Sequence, residues 1–405
     1  MKKYFLLFLN LFFAGHLLNA QGIWTTKADF PGTLRQQGVG FSIGNKGYIG
    51  TGNSSSDWLK DFWEWDQSTN VWTQKADFGG SAREAAVGFS IGNKGYIGLG
   101  LTLNYLGYLQ DFWEWDQNTN TWVQKADFTG GPRRWAIAFS IKNKGYIGTG
   151  NDGLEEKQDF WEWDQATDTW IPKANFPGGP RNSAVGFAIG LKGYIGTGAD
   201  NNGNVYQDFW EWDQATDSWS KKADFPGGAR CYAIGFSING KGCIGTGDNY
   251  YKLFEDFWEW NPYSDIWIQK TKGGAARCFA TSFSIGSKGY LVGGSDSSLT
   301  YLKDFWEFTS DTITPAIHAD VNEIANVFSL NIFPNPSSGV FIIGFNKLNS
   351  DRKICIYDVS GNCVLTNNTA KELNQRIDLS NQPKGIYFVE MICGEKRETR
   401  KIIIE

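Results

Sequence analysis

The 405-residue chain has almost no imidazole: it contains two histidines, His16 and His318, and neither lies in the repeated part of the sequence. A copper centre built on imidazole ligands is therefore excluded there, and no metal or cofactor is expected. Charge of one sign is missing too. With 38 basic and 43 acidic residues interspersed, the net charge of −5 leaves no basic stripe to track a nucleic acid backbone. Beyond residue 18 no apolar run is long enough to cross a bilayer, so no membrane span is expected in the mature chain. Paired cysteines are also lacking, since Cys231, Cys243 and Cys278 fall in the repeats and Cys355, Cys363 and Cys393 beyond them, an odd number in each part. A bridge between Cys231 and Cys278, at equivalent places in consecutive repeats, stays open, whereas Cys243 stands where other repeats have Tyr and reads as a small buried apolar residue.

What the chain has is aromatic and glycine residues. Aromatics make up 16% of it, with 19 Trp and 49 Gly, a mixture that favours many short strands over long helices. The first twenty residues read as a secretory signal: Lys2 and Lys3, an apolar run from Tyr4 to Leu18, then Asn19-Ala20 before a mature start at Gln21. No Cys follows Ala20, so a lipid-anchored start is not indicated.

One unit dominates the next 290 or so residues, an approximate span in the range of a single large all-β domain. It reads R-x(5)-FSIGNKGYIGTG, a variable stretch, then DFWEWDQ-x-TN-x-W-x-x-KADFPGG, and its marker Trp residues (Trp24, Trp72, Trp122, Trp170, Trp219, Trp267) fall 48 to 50 apart. Each unit is expected to give four strands: a GVGFSIG/KGYIGTG hairpin, DFWEWD, and the W-x-x-K segment. Four strands per unit is a propeller blade. The chain enters with a lone fourth strand, Ile23 to Phe30, and the sixth unit stops after its third, DFWEF (Asp304 to Phe308). The fold expected is an all-β, six-bladed propeller, closed by the N-terminal strand to remove open sheet edges, plus a small C-terminal β-sandwich. The domains are a signal peptide (1–20), the propeller (21–309), a linker (310–327) and the C-terminal domain (328–405).

Two classes of residue are candidates for a site. Each unit carries one Arg just before its first strand: Arg35, Arg83, Arg133, Arg181, Arg230 and Arg277. They read in two ways, as partners in inter-blade ion pairs with the strand carboxylates (Glu64, Glu114, Glu162, Glu211, Glu259, Glu307, or Asp residues), or as a ring at one mouth of the central channel. The following residue varies (Gln36, Glu84, Arg134, Asn182, Cys231, Cys278), as a specialised lining would. The variable stretches supply Trp58, Tyr105, Tyr108, Tyr206, Tyr250, Tyr251 and Tyr301, rings able to stack on sugars or to anchor a protein. The acidic stretches 151–156 and 199–204 lack the spacing of a calcium loop and read as solvated loops.

KGYIGTG with DFWEWDQSTNVW resembles the kelch repeat over about Ile23 to Phe308, although five units carry G-x-G where that family usually has adjacent glycines and only Gly293-Gly294 keeps the doublet. In kelch propellers residues at the place of the six Arg resemble known ligand contacts. The family includes copper oxidases resembling galactose oxidase, which the missing histidines exclude, and a sialic acid mutarotase. FPNPSSG, IYDVSGNCV, NQPKGIYFVE and the basic-apolar terminus are similar to the type A sorting domain of the type IX secretion system, over about Phe328 to Glu405. That resemblance implies the secretion machinery as a partner and a secreted or outer-surface location. The favoured reading is a binding propeller for a glycan or a protein rather than an enzyme. The alternative is a carbohydrate-active enzyme of the mutarotase type, with Glu84 and the Arg ring as acid, base and anion contact.

Overall fold

The computed structural model describes residues 22–102, 107–310, 330–333, 335, 337–345, 352–359, 362–367, 374–393 and 396–405. The described residues are all-β, and the chain divides into two compact units, Met1–Pro315 and Ala316–Glu405. The segment read as a signal lies outside the described residues, as does the linker apart from Ser310. Ser310 belongs to the propeller, since its buried hydroxyl donates to Glu259 Oε2 at 2.5 Å.

Among the described residues the first unit holds six four-stranded antiparallel sheets and one two-stranded ribbon, Leu101–Thr102 with Gly107–Tyr108. In the first sheet the order from the centre outward is Val39–Ile43, Lys46–Gly50, Phe62–Asp66 and Val71–Gln74. The sheet of the last repeat, Thr281–Ile285, Lys288–Val292 and Phe305–Thr309, takes its outer strand from the start of the chain, with Ile23–Thr26 paired antiparallel so that Trp24 stands opposite Phe308. Innermost strands touch in cyclic order, the first against the last included.

Alternation along each third strand sends residues to opposite neighbours. Phe62 packs on Trp115 of the next blade, and Trp65 packs on Phe305 and Tyr290 of the preceding one. The glycine of KGY has a steric purpose: a Cβ on Gly145 would sit 2.1 Å from the Phe89 ring, and one on Gly47 would sit 2.3 Å from Phe283. The phenylalanine of one blade thus fills a hole that only glycine leaves in the next. Outside this layer each marker tryptophan donates its indole N–H to a carbonyl just past the previous blade's outer strand: Trp72 to Ala28, Trp122 to Ala76, Trp170 to Ala126, Trp219 to Ala174, Trp267 to Ala223 and Trp24 to Thr271.

Among its described residues the C-terminal unit has two sheets. One is ordered Leu330–Phe333, Val340–Phe345, Asn374–Asp378; the other Cys363–Asn367, Arg352–Asp358, Gly385–Cys393, Lys396–Ile404. Phe341, Ile343, Ile354, Ile377, Val389 and Ile402 belong to its buried core. Asn335 and Ser337 are clipped to the last strand: the Asn335 amide donates to Lys401 O at 2.8 Å and accepts from Ile403 N at 2.9 Å, and Ser337 N donates to Ile403 O.

Replacing Gly145 by Ala is expected to lower the melting temperature by several degrees, an overpacking cost of about 1–3 kcal/mol. Differential scanning calorimetry checks this, and an unchanged melt would refute the knob-and-hole account of the repeat.

Candidate functional site

The six repeated arginines are buried, with relative exposures of 3% for Arg35 and 0% for the others. Each is paired with the aspartate that opens the third strand of its own unit, Arg35 with Asp61 at 2.6 Å, Arg133 with Asp159 at 2.5 Å and Arg181 with Asp208 at 2.6 Å, and so on round the ring. Each also donates to a backbone carbonyl in its own blade, Thr51 for Arg35 and Thr197 for Arg181. In five units the guanidinium also lies over the Phe that precedes it, Phe30, Phe78, Phe128, Phe176 or Phe225. Burial works to raise the Asp111 and Asp304 carboxyls, but the hydrogen bonds and charge of Arg83 and Arg277 hold both below the usual carboxylate value.

Two expectations are thereby corrected. These arginines do not line the channel mouth, because each guanidinium is spent on the aspartate and carbonyl of its own blade and the backbone bonds to the preceding one, as Gly52 N does to Arg83 O. The ion pairs also run within a blade rather than between blades. The strand carboxylates likewise pair at home, Glu64 with Lys46 at 2.6 Å and with the Tyr48 hydroxyl at 2.8 Å. A pair buried this way is costly to break from one side only.

The mouth is formed two residues after each arginine, by Gln37, Ala85, Trp135, Ser183, Tyr232 and Phe279. All six have φ between 54° and 57°, the left-handed region that costs a non-glycine residue about 1–2 kcal/mol. Their backbones compensate by bonding to one another in a cycle: Ala85 N to Gln37 O, Trp135 to Ala85, Ser183 to Trp135, Tyr232 to Ser183, Phe279 to Tyr232 and Gln37 to Phe279, at 3.0–3.2 Å. The next residue in each repeat is small, Gly38 or Ala86, Ala136, Ala184, Ala233 and Ala280, which leaves a cavity of about 180 Å³ below the ring. Over it lie three rings from three blades. Trp135 and Tyr232 meet edge to face at 5.6 Å, and Tyr232 and Phe279 lie 4.0 Å apart. The Trp135 indole N–H reaches past Ala85 to Gln37 Oε1 at 2.9 Å.

Of the residues singled out from sequence, four gather beside these rings. Arg134 stacks on Trp135 with its Cζ 3.7 Å from the ring centroid, and on Tyr108 at 5.6 Å. Glu84 is 6% exposed; burial pushes its carboxyl above the usual value and the Arg134 charge pulls it part of the way back. Tyr250, about half exposed, lies within electrostatic reach of Tyr232 and Cys231, with burial the main cause of its raised hydroxyl pKa.

The others stand elsewhere. Tyr206 covers buried Arg181 and donates to Asp200. Tyr301 accepts from Asn53, and Trp58 is half-buried in a bridge to Asn53. Tyr251 is 93% exposed at a loop tip, and Tyr105 lies outside the described residues. Cys231 and Cys278 are separate thiols, the first donating to Asp248 Oδ1 at 3.3 Å and the second 3.7 Å from Ser295 Oγ. Among the described residues no group of three or more His, Cys, Asp and Glu is placed to hold a metal, and no helix is long and apolar enough to cross a membrane.

Residues 331–405 match the family model described as a secretion system C-terminal sorting domain. The chain carries a sorting domain. Export, to the medium or the outer cell surface, follows from that domain. The solved structure of YjhT matches the propeller with a TM-score of 0.60 at 17% identity, covering 70% of this chain and 97% of that one, a likeness of fold. With the six four-stranded sheets it makes the first unit a six-bladed β-propeller, preceding the sorting domain along the chain. No curated protein matches the chain.

Changing Arg181 to Met is expected to cost about 3 kcal/mol or more by stranding Asp208, and so to lower the melting temperature by several degrees. Changing Glu84 to Gln should do the reverse at neutral pH. With the folded-state pKa raised, the unfolded chain ionises first, so the carboxylate penalises folding above its ordinary range of about 4.3 and not below it. Melts from pH 7 down to pH 4 should show a gain that shrinks with pH, and a constant or absent gain would contradict the assignment.

Proposed function

We propose that the exported propeller is a carbohydrate-recognition module whose ligand lies on Trp135, Tyr232 and Phe279 over the channel mouth. The observation that supports this reading is the aromatic trio itself, three rings from separate blades held on a hydrogen-bonded backbone cycle. A pyranose offers an apolar C–H face to such rings and hydroxyls to polar neighbours, and Gln37 and Ser183 stand in the same lining. Because the rings are fixed by the scaffold, little conformational entropy is lost on binding. On this reading residues 1–20 direct the first stage of export and are removed, the sorting domain directs the second, and the propeller works outside the cell.

A second reading, a sugar-modifying enzyme of the mutarotase type, draws on one observation: Glu84 is a buried carboxyl with a raised pKa beside an arginine. It ranks second because Glu84 is bridged to Leu101 and does not belong to the mouth lining.

Glycan-array screening of the purified chain is expected to give carbohydrate hits, and Trp135→Ala should weaken the best of them at least tenfold with little change in melting temperature. A silent array, with capture of a protein partner that Trp135→Ala abolishes, would replace the glycan by a protein ligand. Turnover of sialic or uronic acids that is lost in Glu84→Gln would establish the enzyme.

A further inference from the structure

The propeller contains seven arginines, and six of them answer to an aspartate at 2.5–2.6 Å. The seventh is Arg134. Among the described residues its side chain forms no ion pair and no hydrogen bond, and its Nε is buried without a partner. Its guanidinium lies over Trp135, with Tyr108 also near, and Tyr108 is backed in turn by the loop of the third repeat, where a Cβ on Gly153 would sit 2.6 Å from the Tyr108 ring. The side chain is thus positioned by aromatic contacts, while its N–H groups are unspent. The carboxylate whose charge it balances, Glu84, is not in salt-bridge contact with it. A chain that neutralises every other propeller guanidinium from within leaves this one for something outside the chain.

We infer that Arg134 receives an anionic substituent of the ligand, so that the glycan bound over Trp135 is an acidic one carrying a carboxylate or a sulfate ester. This inference rests on the carbohydrate reading of the mouth and adds the class of sugar. A planar guanidinium stacked on aromatic rings presents its donors edge-on, the arrangement that favours two parallel hydrogen bonds to a carboxylate or sulfate over contact with a hydroxyl. The location supports the same assignment: Arg134 follows directly on Arg133 and precedes Trp135, so its stacking ring is also the first ring of the aromatic trio.

Isothermal titration with the full chain tests this using three forms of one oligosaccharide: a uronic acid form, its carboxyl-reduced neutral form, and the sulfated form of the neutral sugar. The acidic forms are expected to bind at least tenfold more tightly than the neutral one, with the advantage shrinking as salt is raised. Which acidic form is preferred tells carboxylate from sulfate ester. Arg134→Gln should erase the preference, so that acidic and neutral forms bind that variant alike, and Arg134→Lys, which keeps the charge but not the planar stack, should retain part of it. Equal binding of neutral and acidic forms, or a preference that survives in Arg134→Gln, would overturn the inference while leaving the carbohydrate reading intact. Failure of all three forms, together with a silent glycan array, would remove the carbohydrate reading and this inference with it. A thermal melt of each variant guards against a folding artefact, and if Arg134→Gln melts early the comparison of ligands on the unaltered chain decides.

Discussion

Six backbone hydrogen bonds, passed from blade to blade around the channel mouth, are the constraint on which the rest of the propeller depends. In such a cycle no donor is left over only if the last repeat reaches the first, as Gln37 N does in donating to Phe279 O. Each member accepts an unfavourable left-handed backbone in exchange for that bond. Two further layers keep the blades near enough for the cycle to form, the phenylalanine-into-glycine contacts of the inner strands and the indole-to-carbonyl bonds of the outer ones. Hence the same phenylalanine, glycine and tryptophan residues recur in every repeat as parts of the scaffold.

Charge follows the same division between scaffold and site. The repeated Arg–Asp and Lys–Glu–Tyr sets pair within each blade, and the blades are joined by further bonds such as Gln117 Nε2 on the Tyr48 hydroxyl and the Ala174 N–H on Asp217. Where the repeat departs from its pattern the scaffold adjusts locally. Cys243 replaces the tyrosine that would relay to Glu259, and Ser310, in the place of the glutamine, reaches Glu259 directly. Between the second and third repeats the departure is of another kind. Glu84 and Arg134 are charged residues at positions that elsewhere hold Gln, Asn or Cys, and neither is closed into an ion pair, which marks this sector of the rim as the one that breaks the pseudo-symmetry.

Much of the site was within reach of comparing repeats, but one residue off. Variability points to the position directly after each arginine as the lining, whereas the side chains at the mouth belong to the position after that, which varies even more widely, from Ala85 to Trp135. Variation alone could not tell the two apart. The inverted backbone at Gln37 and its equivalents decides which side chain meets the channel, and it arises from the bond to the neighbouring blade rather than from any local preference of Gln, Trp or Phe for positive φ.

By itself the sequence determined the period, the four strands of each blade, the complementary fragments at Ile23–Thr26 and Phe305–Thr309, and the sorting domain, because these depend on alternation, turn residues and motif spacing along the chain. Only the tertiary structure decided which charges are spent and which are free. Arg133 and Arg134 are adjacent and chemically identical, yet one is enclosed by Asp159 and the other lies over Trp135 with Tyr108 of another repeat nearby. Asp159 is 26 positions from Arg133, and ion pairing depends on distance in space, to which the sequence order of the two arginines gives no guide.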